Sequence, residues 1–140
     1  MKIQLESDLR ELARARHAVR EAARLRAAET IAPEIVDQLE LAVTEAVANV
    51  IRHSYNNEKG HPIEFNIRLT AGALEVTIHH WGKSFAPAAI PEPVFDGSSE
   101  CGFGLFIISK CVDFFDYSTD MQNRNTIRLI KKIKNRREKK

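Results

Sequence analysis

No apolar run in the 140-residue chain approaches the about 20 residues that a helix needs to cross a bilayer, so no membrane span is expected. The first residues, MKIQLESDLRELARAR, turn charged at once and lack the apolar region of an export leader. Two cysteines, Cys101 and Cys111, are too few for a disulfide framework, and the expected setting is reducing and cytoplasmic. No GKS or GKT follows a glycine-rich loop, which excludes a Walker-type phosphate loop. No third glycine completes GxGxxG after a strand, so a dinucleotide fingerprint is absent as well. The adjacent His79 and His80 have no cysteine or carboxylate at ligand spacing. On a strand they point to opposite faces, which argues against zinc.

What is present fits one domain. Hydrophobic residues make up 44% of the chain and charged residues 29%, the balance of an ordinary globular protein. Net charge is +2, yet the last ten residues, KKIKNRREKK, hold seven basic side chains. Without interleaved aromatics this stretch reads as a solvated tail over residues 134–140, after a domain spanning residues 1–133. No nucleic-acid partner is expected. The tail can raise affinity for an acidic protein partner.

Periodicity organises the rest. KIQLE near the start alternates as a short strand. Ser7 or Asp8 suits a helix N-cap, and residues 8–27 read as an amphipathic helix. Pro33 suits a first helical position, and Ile35, Leu39, Val43, Val47 and Val50 give a broad apolar stripe through Ile51. After a polar loop over residues 54–62, Ile63 to Leu69 and Leu74 to Ile78 alternate around Ala71-Gly72 as a hairpin. Residues 82–101 have no periodicity, and a loop of that length in a compact domain is usually functional. Gly102 and Gly104 open a further helix. Phe114 to Ser118 and Thr126 to Ile133 form a last strand pair. The order predicts an α+β two-layer sandwich, with a mixed, mostly antiparallel sheet covered on one face by helices.

Two clusters carry chemistry. Glu45 and Asn49 stand four apart on the polar side of an otherwise aliphatic helix, and His53 extends the line by a turn. Such a stripe faces either solvent or a site. An amide oxygen suits a hard cation such as Mg²⁺, and a carboxylate can take a proton from a hydroxyl attacking a phosphoryl group. In Glu100-Cys-Gly-Phe-Gly-Leu105, two glycines precede an apolar helix. They permit close backbone approach, and the helix start offers unpaired amides to an anion. A plain glycine-rich turn reads the same way. His79-His80-Trp81-Gly82-Lys83-Ser84-Phe85 closes the second hairpin strand with a loop against which a flat ring can lie.

In this order, LAVTEAVANVIRHSY (41–55), IHHWGKSF (78–85), CGFGLFIISKCVD (101–113) and NTIRLIKKI (125–133) resemble the ATP-binding boxes of the gyrase, heat-shock chaperone and histidine-kinase superfamily. Within it the chain looks most like the anti-sigma-factor serine/threonine-protein kinases of the RsbW and SpoIIAB type. The resemblance implies ATP and Mg²⁺ as cofactors. It implies Glu45 as the base toward a partner's serine and Asn49 as the magnesium ligand. Gly82 would lie under the adenine, and Thr126 would face the adenine pocket. Gly102 and Gly104 would hinge a lid spanning Ala86 to Glu100. His53, His80, Phe85, Phe103 and Leu105 complete the implied nucleotide site. Implied partners are a STAS-domain anti-anti-sigma protein and a sigma factor or other output protein, with the chain as a homodimer.

One position departs from the family. Where an aspartate normally accepts the adenine amino group, this chain has His80. An imidazole nitrogen can accept one hydrogen bond but supplies neither charge nor a second oxygen. The loss is worth about 1.5–3 kcal/mol, roughly 10- to 150-fold in affinity. The alternative to a kinase is therefore a partner-switching module that binds nucleotide weakly or without catalysis.

Overall fold

The alternating stretches of the sequence form one sheet. Lys2–Glu6 (β1), Pro62–Thr70 (β2), Ala73–His80 (β3), Phe114–Thr119 (β4) and Asn125–Lys132 (β5) pair in the order β1-β2-β3-β5-β4. The computed structural model describes residues 1–26, 31–70, 72–83 and 103–133. Every pairing among these strands is antiparallel, so the sheet expected to be mixed is antiparallel throughout its described part.

Period two sends Ile63, Phe65 and Ile67 of β2, Val76, Ile78 and His80 of β3, and Asn125, Ile127 and Leu129 of β5 to one face, where all are buried. The other face is polar. There Arg68 meets Glu75 across the strands at 3.0 Å, and Arg128 lies 3.8 Å from both Glu75 and Asp116. A ladder of alternating charge suits a face in water.

Among the described residues, three helices supply the second layer: α1 (Leu12–Arg26), α2 (Pro33–Asn49) and α3 (Phe103–Cys111). The first packs on α2 and β2, and α2 packs on α3 and β5. Together with the inner strand face they enclose a core that includes Leu5, Val19, Leu39, Val43, Val47 and Ile108. No helix among the described residues is long and apolar enough to cross a membrane.

The first helix opens differently from expectation. Residues 9–11 form a 3-10 turn, and Asp8 caps it by accepting the Arg10 amide at 3.0 Å. Ser7, the other candidate cap, is fully buried. Its hydroxyl donates to the Glu58 carbonyl at 2.6 Å and accepts from the His61 amide at 2.8 Å, which ties the end of β1 to the loop before β2.

Pro33 does begin α2, where its missing N–H costs nothing. The α-helix then closes at Asn49, earlier than the expected Ile51. A π turn, Val50–Ser54, follows it, with the Tyr55 amide donating to the Val50 carbonyl at 3.1 Å. Such a turn inserts one residue into the helical repeat and so changes which side chains face the sheet.

Candidate functional site

Two glutamates on α2 have opposite surroundings. Glu40 is buried and holds the Arg20 guanidinium at 2.8 Å, a structural link from α2 to α1. Glu45 is half-buried and has no ion pair or hydrogen-bonded partner for its carboxylate among the described residues. One turn further, Asn49 is only 8% exposed, yet no hydrogen bond reaches its amide from the described residues either. The Asn49 amide is not a buried group left without a partner, so it keeps contact with solvent, from which a ligand can reach it. An amide oxygen is also a suitable donor for magnesium. No cluster of three or more His, Cys, Asp or Glu stands ready for a metal among the described residues. A cation beside Asn49 would therefore take most of its ligands from a nucleotide and water.

The third member of the expected stripe is displaced. His53 is exposed, because the π turn shifts the inward position by one residue, to Ser54. Ser54 is 4% exposed, and its hydroxyl lies 2.9 Å from Nδ1 of His80, which is itself 1% exposed. Burial holds the His80 pKa down at about 4, so the ring is neutral at physiological pH.

Around this pair the end of β3 is clamped. Tyr55 accepts the Trp81 amide at 2.9 Å, donates to the Pro62 carbonyl at 2.7 Å, and meets the His80 ring edge-on at 6.2 Å. The Lys83 amide donates to the Ser54 carbonyl at 2.9 Å. Gly82 lies so close to Ser54 and Tyr55 that a Cβ there would sit 2.6 Å from the Ser54 carbonyl oxygen. Only glycine permits that approach.

Thr126 does not join this group. It lies on the open face of the sheet, where its hydroxyl is 3.0 Å from Nδ1 of His79. That face carries a cavity of about 640 Å³ lined by residues such as Lys2, Glu64, His79 and Arg124, but by neither Glu45 nor Asn49. Strand alternation gives the inward position to Asn125 instead. Its amide donates to the carbonyls of His80 at 3.3 Å and Gly82 at 2.8 Å, and its oxygen accepts from Thr119 at 2.7 Å.

Sequence reasoning missed both Ser54 and Asn125. The available signals were a polar residue at the end of an aliphatic helix and another ahead of Ile127 and Leu129.

Phe85, Gly102, Cys101 and the lid expected over Ala86 to Glu100 lie outside the described residues. Phe103, Gly104 and Leu105 form the first turn of α3, so Gly104 sits inside the helix rather than ahead of it. The side chains of Phe103 and Leu105 lie outside the description. Because α3 packs on α2, its glycine-bearing start shares the helix layer with Glu45 and Asn49. Cys111 is a buried free thiol.

The arrangement matches known proteins. The family profile of the histidine kinase-like ATPase domain matches residues 5–131. Serine-protein kinase RsbW of Oceanobacillus iheyensis is 31% identical over 88 residues, covering 57% of this chain and 56% of that protein. Serine-protein kinase RsbW of Halalkalibacterium halodurans is 29% identical over 93 residues, 61% and 56% of the two chains. The chain thus spans about half the length of the curated relatives it matches. A crystal structure of the RsbU and RsbW domains of Rv1364c from Mycobacterium tuberculosis superposes with a TM-score of 0.60 at 14% identity, over 95% of this chain and 32% of that one, and so shares its fold. With the profile covering nearly the whole domain, the chain belongs to the histidine kinase-like ATPase domain family.

Proposed function

We propose that this chain is a magnesium- and nucleoside-triphosphate-dependent serine/threonine-protein kinase that phosphorylates a STAS-domain antagonist and sequesters an output protein in a partner-switching system. The observation that carries the reading is Asn49. It is a largely buried side chain whose amide still reaches solvent, one helical turn from the half-buried carboxylate of Glu45. ATP is the nucleotide that the family name implies.

In this reading the backbone amides at the start of α3 bind phosphate oxygens. Asn49 holds magnesium through its amide oxygen, and bound magnesium supplies charge neutralisation across the phosphates. Glu45 orients the partner's serine and takes its proton as the hydroxyl oxygen bonds to the γ-phosphorus and the diphosphate leaves. The Ser54, Tyr55 and Asn125 clamp keeps His80 and Gly82 rigid under the base. Relatives named serine-protein kinase RsbW support the acceptor class.

Purified chain, Mg²⁺, nucleoside triphosphate and a cognate STAS-domain protein test the reading, with phosphoserine read by mass spectrometry. The expected result is transfer that disappears in Glu45→Ala. Transfer at the parent's rate in that variant, or no transfer with any nucleoside triphosphate, overturns it.

A further inference from the structure

Along its length α2 turns one face away from the core. Pro33, Glu34, Asp37, Gln38 and Leu41 are exposed there, and Glu45 of the candidate site is half-buried. At 100° per residue, Glu34, Asp37, Leu41 and Glu45 fall within about 80° of arc, so they form one line that runs into the site. Leu41 is 45% exposed, and among the described residues it is the one large hydrophobic side chain of an α-helix left so open. A lone exposed leucine is ordinary on a protein surface. This one stands a single turn before the carboxylate proposed to take the proton, where it meets whatever brings a hydroxyl to Glu45.

The charge of this face is also available. Glu34, Asp37 and Glu45 have no ion pair among the described residues, and Asp37 acts on Arg20 only at longer range. On the neighbouring α1, Arg14 pairs with Glu11, Arg24 with Glu21, and Arg20 with the buried Glu40. An acidic face with a leucine in it fits a partner that is basic and apolar.

Spacing says how such a partner runs. Side chains four apart on a helix stand about 6 Å apart along its axis, and side chains two apart on an extended chain about 6.6 Å. With a hydroxyl at Glu45, the residue two positions away on an extended chain meets Leu41. The residue four positions away reaches Asp37, which lies about 12 Å along the axis from Glu45. All three project from one side of the extended chain.

Resting on the kinase reading above, we infer that the outward face of α2 holds the acceptor. Its occupant is an extended segment of the partner protein, with an apolar residue two positions from the accepting serine or threonine and a lysine or arginine four positions away on the same side. Glu45 meets the hydroxyl, Leu41 covers the apolar residue, and Asp37, with Glu34 beyond it, meets the cation.

Steady-state phosphate transfer to a cognate STAS-domain protein tests this, with the accepting residue located by mass spectrometry. Leu41→Ser is expected to raise KM for that protein about 5-fold or more at unchanged kcat, and Leu41→Met to leave it near the parent's. Asp37→Lys should raise KM about 3-fold or more at about 50 mM salt and lose most of that effect at about 500 mM. Glutamate in place of the acceptor's basic residue should weaken transfer by the parent, and Asp37→Lys should rescue it. Every variant of the chain should bind nucleotide with the parent's affinity.

Unchanged KM in either Leu41→Ser or Asp37→Lys, or an effect on kcat alone, overturns the acceptor face and leaves the kinase standing. An accepting site without the apolar and basic residues at those positions does the same. So does a parent dimer that Leu41→Ser turns into a monomer in sedimentation, since a second copy would then cover the face. Absence of any transfer by the parent overturns the kinase reading, and the acceptor face with it.

Discussion

An alanine at Gly82 would press its Cβ against Ser54 Oγ, 2.6 Å from the Ser54 carbonyl oxygen and 2.7 Å from Tyr55 Cδ1. The hydroxyl can turn away only by abandoning His80. The carbonyl cannot yield at all, since it belongs to the backbone of the π turn and already accepts the Lys83 amide at 2.9 Å. The end of β3 has to shift instead. Overpacking of this kind costs about 1–3 kcal/mol. The lost Ser54–His80 bond adds about 1 kcal/mol, giving about 2–4 kcal/mol in all. Unfolding entropy of about 2.1 cal/mol/K per residue over the chain turns that into a Tm lower by roughly 7–14 °C. Differential scanning calorimetry checks it, with Gly60→Ala as the control. At Gly60 φ is +89° and nothing lies within 4 Å, so only backbone strain acts there. That strain is worth about 1 kcal/mol, or roughly 3–4 °C. A Gly82→Ala protein that loses less Tm than Gly60→Ala refutes the claim that close approach is what requires glycine at position 82.

Glu40→Ala is expected to lower Tm, since it removes the buried end of the Arg20 ion pair, whereas Glu45→Ala should leave Tm within about 2 °C and act on phosphate transfer alone. Equal Tm losses in the two variants would show that Glu45 is structural. His80 has its pKa lowered to about 4 in the fold against about 6.5 in the unfolded chain, so between those values the unfolded chain binds the extra proton. Stability is then complete above about pH 6.5 and falls by about 3 kcal/mol as pH drops to 4; urea unfolding of parent and His80→Gln at pH 7 and 4.5 checks this, and an unchanged difference counts against a buried neutral ring. Ser7→Ala strips the Glu58 carbonyl and the His61 amide of a partner and should cost about 1–3 kcal/mol by urea unfolding, a cost below about 0.5 kcal/mol being incompatible with the bridge described.

The strands are legible in the sequence because Ile63 to Leu69 and Leu74 to Ile78 alternate strictly, and period two is a local property of the chain. The second helix is legible for the same kind of reason, with Pro33 marking its start. Glu45 and Asn49 stand out because they interrupt an aliphatic helix at a spacing of four. What separates Asn49 from any surface asparagine is its burial, and no spacing encodes that. The two misplaced residues share one cause. Extending the helical stripe by four picks His53, but the π turn closed by Tyr55 on Val50 hands the inward position to Ser54. On β5, the likeness to a family motif picks Thr126, but pairing of His80 with Asn125 sends Thr126 to the open face. One residue reverses a strand's face and turns a helix by about 100°. Register at an element's end is fixed by its neighbours in space rather than by its own residues. Both slips fall on the contacts that hold His80, which Ser54 meets at 2.9 Å and whose carbonyl Asn125 holds at 3.3 Å.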